Sequence, residues 1–241
     1  MTYTNQAGAN ATFGNVVIAG TSAATTLASN LTIDSLTIAA SDTLVSAGYS
    51  VDINGFGWVK GKFDASGGTG GTTNITVSGN WTLDSAGTFV SGSSTITFDG
   101  TLAQSVTTTG KTYNNLIVTN KTAAVSFTDD WTATVFQDTT PDSQLLFNPG
   151  STYTVSGALT LTGAFNHRIS LDTIGGSLTQ FNFNIPVGVT VNYLTVRNSG
   201  VIGTHNIYVR KSVNRGNNKT DATPRWIFED IGNSIWYGTM F

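Results

Sequence analysis

The chain has 241 residues, a formal net charge of −3 and no cysteine. A charge this small does not indicate nucleic-acid binding, and the absence of cysteine excludes disulfide and thiol chemistry. The 27 glycines, the low charged fraction of 10% and a single Glu favour short strands joined by tight turns over helices, and the length fits one main domain.

The first residues, 1–15, are small and polar and show no repeat, so we predict an N-terminal arm there. This segment has neither the basic start nor the apolar stretch of a secretory signal, and we expect none. Nowhere do about eighteen apolar residues follow one another, so we also expect no membrane-spanning segment and no membrane partner.

Residues 16–210 carry a regular spacing of apolar strand starts. In the first half of this region the starts recur at a near-constant interval, at Leu31, Val51, Ile75, Ile96 and Leu116. A constant interval of about 21 residues is typical of solenoids, in which each coil stacks on a similar one. The segments between strands are too short for helical crossovers, which excludes the parallel α/β folds.

An internal repeat, Thr-Val-Ser-Gly-x-x-Thr-Leu, occurs at 76–83 and again at 154–161. Within each copy large apolar residues alternate with small hydroxylated ones, and this period of two places alternate side chains on opposite faces of a strand. The pattern predicts that Val77 and Val155 point into one core and that two short strands bend around the central glycine.

We also expect three tryptophans in the core or in stacking contacts rather than on a glycan-binding surface: Trp58, Trp81 and Trp131.

Two all-β folds fit these strands: a right-handed parallel β-helix, and an antiparallel β-sandwich or jelly roll. The sandwich is favoured by Asn54-Gly55 and Asp99-Gly100, which are typical of hairpin turns, and residues 51–63 resemble a hairpin locally. Hairpins do not explain a spacing of about 21 residues, whereas the stacking of like on like does. We therefore predict the β-helix, with the sandwich as the alternative.

Four segments in the middle of the chain, 96–101, 104–110, 113–120 and 125–130, have the composition of degenerate solenoid repeats. They read Ile-Thr-Phe-Asp-Gly-Thr, Gln-Ser-Val-Thr-Thr-Thr-Gly, Tyr-Asn-Asn-Leu-Ile-Val-Thr-Asn and Val-Ser-Phe-Thr-Asp-Asp. These segments resemble the repeats of filamentous-haemagglutinin-type bacterial surface adhesins and of β-helical phage virion proteins. The resemblance implies a β-solenoid with a non-enzymatic surface role, and it carries over no functional residue.

Residues 211–241 break the spacing, and we predict that they form a C-terminal cap and assembly tail. The last coil of a solenoid exposes an apolar cross-section and an unpaired strand edge, which such a tail covers. The apolar residues here exceed what one coil needs, so we expect an assembly interface built from Trp226, Ile227, Phe228, Ile231, Ile235, Trp236, Tyr237 and Phe241.

Basic residues crowd the same end of the chain, at Arg210, Lys211, Arg215, Lys219 and Arg225. They form either a solvated turn or a contact with an acidic partner surface. The segment is short and lacks interleaved aromatic residues over most of its length, so we expect no nucleic-acid partner.

No constellation in the sequence indicates catalysis, a metal site or a cofactor. His167 and His205 are far apart and lack a metal-ligand spacing. The carboxylates dense enough to be considered for glycan cleavage are Asp129, Asp130, Asp138, Asp142 and Asp172. We interpret the adjacent pair among them, Asp129 and Asp130, as a solvated turn pair, and we expect the protein not to be an enzyme.

Together these patterns predict a non-catalytic structural protein on the surface of a virus particle, a phage capsid decoration or fibre-like component anchored by its terminal segments. The alternatives are a fragment of a bacterial adhesin located at the cell surface, and a polysaccharide-degrading β-helix enzyme. The expected partners are other virion subunits, further copies of the chain in a homo-oligomer such as a trimer, and a surface glycan.

Overall fold

The computed structural model of the chain describes residues 2–3, 12–20 and 24–229. These residues form 26 strands and one short 3-10 segment, Ile174–Gly176. The strands are β1 (Thr2–Tyr3), β2 (Thr12–Ile18), β3 (Thr25–Leu27), β4 (Leu31–Ile38), β5 (Thr43–Val45), β6 (Val51–Ile53), β7 (Gly57–Val59), β8 (Lys62–Asp64), β9 (Asn74–Val77), β10 (Trp81–Leu83), β11 (Thr88–Val90), β12 (Thr95–Phe98), β13 (Gln104–Thr107), β14 (Thr112–Val118), β15 (Ala124–Phe127), β16 (Trp131–Asp138), β17 (Gln144–Phe147), β18 (Thr152–Leu161), β19 (Ile169–Thr173), β20 (Phe181–Ile185), β21 (Val189–Asn192), β22 (Leu194–Val196), β23 (Ser199–Gly203), β24 (Ile207–Arg210), β25 (Val213–Asn214) and β26 (Trp226–Glu229).

The strands stack in parallel as a β-solenoid of about 11 turns, which confirms the predicted parallel β-helix. Equivalent strands of successive coils pair side by side and build sheets of 18, 5 and 3 strands within the described residues. The regular spacing in the sequence corresponds to the register between coils. The five predicted strand starts are direct neighbours in one column: Leu31, Val51, Ile75, Ile96 and Leu116.

Residues 51–63, which resemble a hairpin locally and favoured the alternative sandwich, do not form one. The strands β6, β7 and β8 pair in parallel with strands of other coils, and antiparallel contacts within the described residues are confined to two isolated bridges. The backbone N–H of Asn54 donates to the Ile33 carbonyl at 2.9 Å and so continues the parallel ladder. Asn54-Gly55 therefore forms a corner of the coil, and the same residue types that suit a hairpin turn also suit this bend.

The glycine of the internal repeat has a steric role at this corner. A Cβ at Gly79 would lie 2.5 Å from the Gly55 carbonyl oxygen of the coil below, and one at Gly157 would lie 2.7 Å from the Thr134 carbonyl oxygen. Any larger residue would force the stacked coils apart at this point. The prediction that the strands bend around the glycine is therefore confirmed for the first copy, while the second copy lies within the single long strand β18.

The inward side chains fill one continuous apolar core that runs along the axis. Val77 and Val155 are both fully buried there, as predicted. Large aromatic rings stack in the middle of the rod, where Phe127 lies 5.6 Å from both Phe147 and Trp131, measured between ring centroids. Because each coil covers the core of its neighbours, burial is complete inside the stack and is lost only at its ends.

The stack is longer than the predicted body of residues 16–210. At the start, Thr12 of β2 pairs with Thr32 of β4, so part of the predicted arm belongs to a coil. At the other end, Trp226 of β26 pairs with Ile207 of β24. The strand β26 is therefore a rung of the solenoid, and a separate tail can begin only after Glu229.

Candidate functional site

The C-terminal end of the stack contains the described part of the predicted assembly interface. Trp226 is buried, its Nε1 donates to Ser199 Oγ at 3.0 Å, and its ring lies 6.2 Å from that of Phe183. This tryptophan is therefore a core residue, whereas Ile227 and Phe228 beside it are only half-buried. The other residues of the predicted interface lie outside the described residues: Ile231, Ile235, Trp236, Tyr237 and Phe241.

The basic residues near this end are partly held by contacts within the chain. Arg210 Nε lies 2.7 Å from Glu229 Oε2 and so ties β24 to β26. Lys219 Nζ donates to the Val201 carbonyl at 3.2 Å. Both side chains thus contribute to the stacking of the last coils.

The remaining three basic side chains are less engaged. Arg225 Nη1 donates to the Asp221 carbonyl at 3.4 Å, and Lys211 Nζ lies 5.3 Å from the centroid of the Tyr193 ring. Arg215 is exposed, and its side chain has no hydrogen bond or ion pair within the described part of the chain. Of the five basic residues predicted as a partner contact, Arg215 is thus the most available to bind another molecule.

Arg215 lines a shallow cavity of about 320 Å³ together with Ser170, Leu171, Asp172, Thr195 and Arg197. The backbone places three of these residues in one outward column. The Arg197 N–H donates to the Leu171 carbonyl at 3.0 Å, and the Arg215 N–H donates to the Val196 carbonyl at 2.9 Å. Asp172, Arg197 and Arg215 therefore follow one another on successive coils.

The carboxylate in this cavity is already satisfied by other donors. Asp172 Oδ1 accepts from the Thr173 N–H at 2.8 Å and from Asn198 Nδ2 at 2.7 Å. Its other oxygen lies 3.8 Å from Arg197 Nη1, which is a loose ion pair, and the Arg197 side chain is 46% exposed. The guanidinium groups of Arg197 and Arg215 thus face solvent. The Asp172 carboxylate lies on the preceding coil, and its hydrogen bonds and its loose ion pair are made within the chain. Arg197 was missed by the sequence analysis, because it lies outside the basic C-terminal segment.

The pair formed by Asp129 and Asp130 is not simply solvated, which corrects its interpretation. Asp129 accepts from the Thr108 N–H at 2.8 Å and from the Thr109 N–H at 2.5 Å, both in the preceding coil. Asp130 Oδ1 accepts from the Thr152 N–H at 2.9 Å in the following coil. These carboxylates satisfy backbone donors at a corner and join three coils, which is a structural task.

Asp138 lies inside the apolar core, between Val118 and Leu161 of the neighbouring coils. Ser143 Oγ donates to Asp138 Oδ2 at 2.5 Å, and the Thr140 N–H donates to Oδ1 at 2.8 Å. Burial raises the pKa of Asp138 to about 6, although both hydrogen bonds favour the charged form. This carboxyl group faces away from solvent and from any glycan on the surface.

The three tryptophans do not behave alike. Trp81 and Trp131 are buried as predicted, but Trp58 is 38% exposed, with Lys60 Nζ 3.5 Å above the centroid of its ring. The cause lies at Gly57, where a Cβ would come within 2.7 Å of the Trp81 ring of the next coil. Because Gly57 takes the inward position and makes room for Trp81, Trp58 must point outward. Trp58 therefore lies outside the core, and of the two predicted environments it has the second, a stacking contact with the Lys60 ammonium.

Comparisons of the chain with known protein families, with curated proteins and with solved structures return no match. Over the described ranges, no three His, Asp or Glu side chains gather into a group that would hold a metal ion. In this same part of the chain, no helix is long and apolar enough to cross a membrane. The solenoid fold implied by the resemblance to adhesins and phage proteins is confirmed, whereas the surface role that it implies stays a prediction.

Proposed function

We propose that the protein is a non-catalytic structural component on the surface of a virus particle, a phage decoration or fibre-like rod attached by its C-terminal end. About 11 coils at the strand spacing of about 4.8 Å make a stack about 50 Å long. Such a rod suits a spacer that projects from a surface. Three of the five candidate carboxylates serve the fold, since Asp129 and Asp130 join coils and Asp138 is buried.

The observation that carries this proposal is the state of the last described coil. Within the described residues, β26 pairs with β24 on one side and has no strand partner on the other. Ile227 and Phe228 are half-buried there, and the chain continues into residues 230–241, which add six large apolar or aromatic side chains. An open strand edge followed by apolar residues favours attachment to another subunit or to a further copy of the chain.

The location is tested by immunogold labelling of a culture that expresses the gene from its natural locus, with an antibody raised against the folded chain. The expected result is label on virus particles seen by electron microscopy. Label confined to the envelope of intact cells, with unlabelled particles, would overturn the proposal in favour of the adhesin alternative.

The mode of attachment is tested by ending the chain at residue 229, which leaves β26 in place. We expect residues 1–229 to keep the strand signal in circular dichroism but to lose the label on particles and any oligomer seen by sedimentation velocity. A matched variant keeps the full length and replaces five of these six large residues by Ser: Ile231, Ile235, Trp236, Tyr237 and Phe241. Particles that still carry either variant would show that the tail is not the anchor.

A further inference from the structure

We propose that the cavity around Arg197 and Arg215 binds the anionic groups of a polysaccharide chain. The inference concerns the side of the rod rather than its end, so it does not depend on how the protein is attached. The site combines two solvent-facing guanidinium groups with the hydroxyl groups of Ser170 and Thr195, all lining one concavity. Guanidinium groups bind carboxylate and sulfate oxygens with paired hydrogen bonds, and hydroxyl groups suit the hydroxyls of a sugar.

The local charge on this face favours the binding of an anion. Arg168 Nε donates to the Lys211 carbonyl at 3.4 Å, so these two further basic residues lie beside each other, outside the cavity lining. Within the cavity itself, Arg197 and Arg215 contribute two cations, against the single carboxylate of Asp172. The nearby Glu229 is paired with Arg210. Local positive charge therefore persists on a protein whose net charge is −3.

The geometry of the solenoid favours two contacts to one chain. Arg197 and Arg215 lie on successive coils, so their backbones are about 4.8 Å apart, and their side chains project from the same face. Two guanidinium groups at this separation can hold one oxyanion between them or neighbouring anionic groups on a polymer that runs along the rod. The cavity as a whole, about 320 Å³, is of the order needed for a single sugar ring.

An acidic protein surface fits this site less well. A standard protein interface buries about 800 Å² on each partner around an apolar centre. The one apolar residue that lines the cavity, Leu171, is fully buried and offers no such centre. The lining is otherwise made of hydroxyl and guanidinium groups, which suit a hydrated anionic sugar, and of the Asp172 carboxylate, which forms an ion pair with Arg197.

The test measures binding of the full-length chain to dextran sulfate, polygalacturonate and uncharged dextran of similar length by isothermal titration calorimetry at low salt. We expect one or both anionic polymers to bind and the uncharged dextran not to bind. The two anionic arms distinguish sulfate from carboxylate as the preferred group. Because the protein as a whole is negatively charged, binding of a polyanion reports a local site rather than a general attraction.

The decisive variants are Arg215→Gln and the double change Arg197→Gln with Arg215→Gln. We expect the affinity to fall about tenfold for the first change and about a hundredfold for both, since each removes one charge-assisted contact. The Arg215 side chain has no hydrogen-bond or ion-pair partner within the described residues, so its replacement leaves the fold intact. Lys121→Gln, an exposed position in the loop between β14 and β15, makes the same change in net charge far from the cavity and should alter the affinity less than twofold.

Two outcomes would overturn the site. One is the absence of binding to both anionic polymers at low salt. The other is an equal loss of affinity in the Lys121→Gln and Arg215→Gln proteins, which would show attraction to charge without a defined cavity. The labelling of particles is an independent experiment. Absence of polysaccharide binding would therefore leave the proposed structural role intact, and absence of label on particles would leave the anion site intact.

Discussion

Replacing Val77 with Asp should lower the free energy of unfolding by about 3–5 kcal/mol, the cost of leaving a buried charge unpaired. Val77 lies in the core column between Ile53 and Phe98, and all three side chains are fully buried and apolar. A carboxylate at this position would lose its water without gaining a partner. Urea unfolding followed by circular dichroism measures the loss.

A matched control introduces the same charge one rung away on the opposite face. Thr97→Asp, on the strand that carries Phe98, adds a carboxylate to an outward position and should change stability by less than about 1 kcal/mol. If Val77→Asp unfolds at the same urea concentration as the unchanged protein, Val77 does not face a core and the inward assignment of the whole column fails.

Stability should fall as the pH rises from about 4 to about 6, through the titration of Asp138. The pKa of this carboxyl group is about 6 in the folded protein and 3.8 in the unfolded chain, so the folded state binds more protons between these values. Each pKa unit corresponds to about 1.4 kcal/mol, so the contribution of this group to stability falls by about 3 kcal/mol across the window and is then constant.

The variant Asp138→Asn isolates this effect from the titration of other carboxyl groups. Asn keeps an acceptor for the Thr140 N–H and offers a donor to Ser143 Oγ, so both hydrogen bonds survive without the charge. The difference in unfolding free energy between the variant and the unchanged protein should grow in favour of Asn by about 3 kcal/mol between pH 4 and pH 7. A difference that does not change with pH would refute the buried titration.

A second variant tests the hydrogen bonds themselves. Asp138→Leu matches the apolar neighbours Val118 and Leu161 in the column but leaves the Thr140 N–H and the Ser143 hydroxyl without their acceptor. We expect it to be less stable than the Asn variant by about 1–3 kcal/mol, because unpaired buried polar groups are costly. Equal stability of the two variants would show that water or another group replaces the carboxylate.

The spacing and the alternation in the sequence suffice to predict the coil and the direction of most side chains. Leu31 and Val51 begin consecutive repeats and become direct neighbours, because a chain that stacks like on like converts spacing into register. The direction of Val77 follows from its alternation with Thr76 and Ser78. These features depend on short-range pattern, which the sequence shows directly.

The parts that could not be predicted depend on contacts between coils. Trp58 points outward because Gly57 leaves space for Trp81 of the next coil, and nothing near Trp58 in the sequence signals this. In the sequence, Asp138 resembles an ordinary polar residue at the end of a strand. The register between coils shows that it lies between two apolar residues. The surroundings of such positions are set by the neighbouring coil. Which residues of that coil make the contact can be predicted only after the register is known.

The cavity is hidden in the sequence for a related reason. Asp172, Arg197 and Arg215 are separated by unequal stretches of sequence, because the loops of these later coils differ in length. A search at a constant period would not bring them together. The sequence predicts Arg215 as a contact residue, because it belongs to the basic segment. Its neighbour in the cavity, Arg197, is identified only from the stacking of the coils.

The central claim is that like strands stack in parallel, and engineered disulfides test it most directly because the chain contains no cysteine. Ser105 is the register partner of Ser126, and Thr107 Oγ1 lies 2.8 Å from Thr128 Oγ1. In parallel strands both pairs lie at the rung spacing of about 4.8 Å, which a disulfide can bridge. An antiparallel pairing that kept Ser105 opposite Ser126 would instead place Thr107 opposite Ala124.

Three double variants are therefore oxidised in the folded state and examined by mass spectrometry after proteolysis. The parallel solenoid predicts efficient intrachain disulfides for Ser105→Cys with Ser126→Cys and for Thr107→Cys with Thr128→Cys, and none for Thr107→Cys with Ala124→Cys. A disulfide in the third variant together with its absence in the second would contradict the parallel stack. The column of basic residues that supports the anion site and the strand edge that supports the proposed attachment would then both be lost.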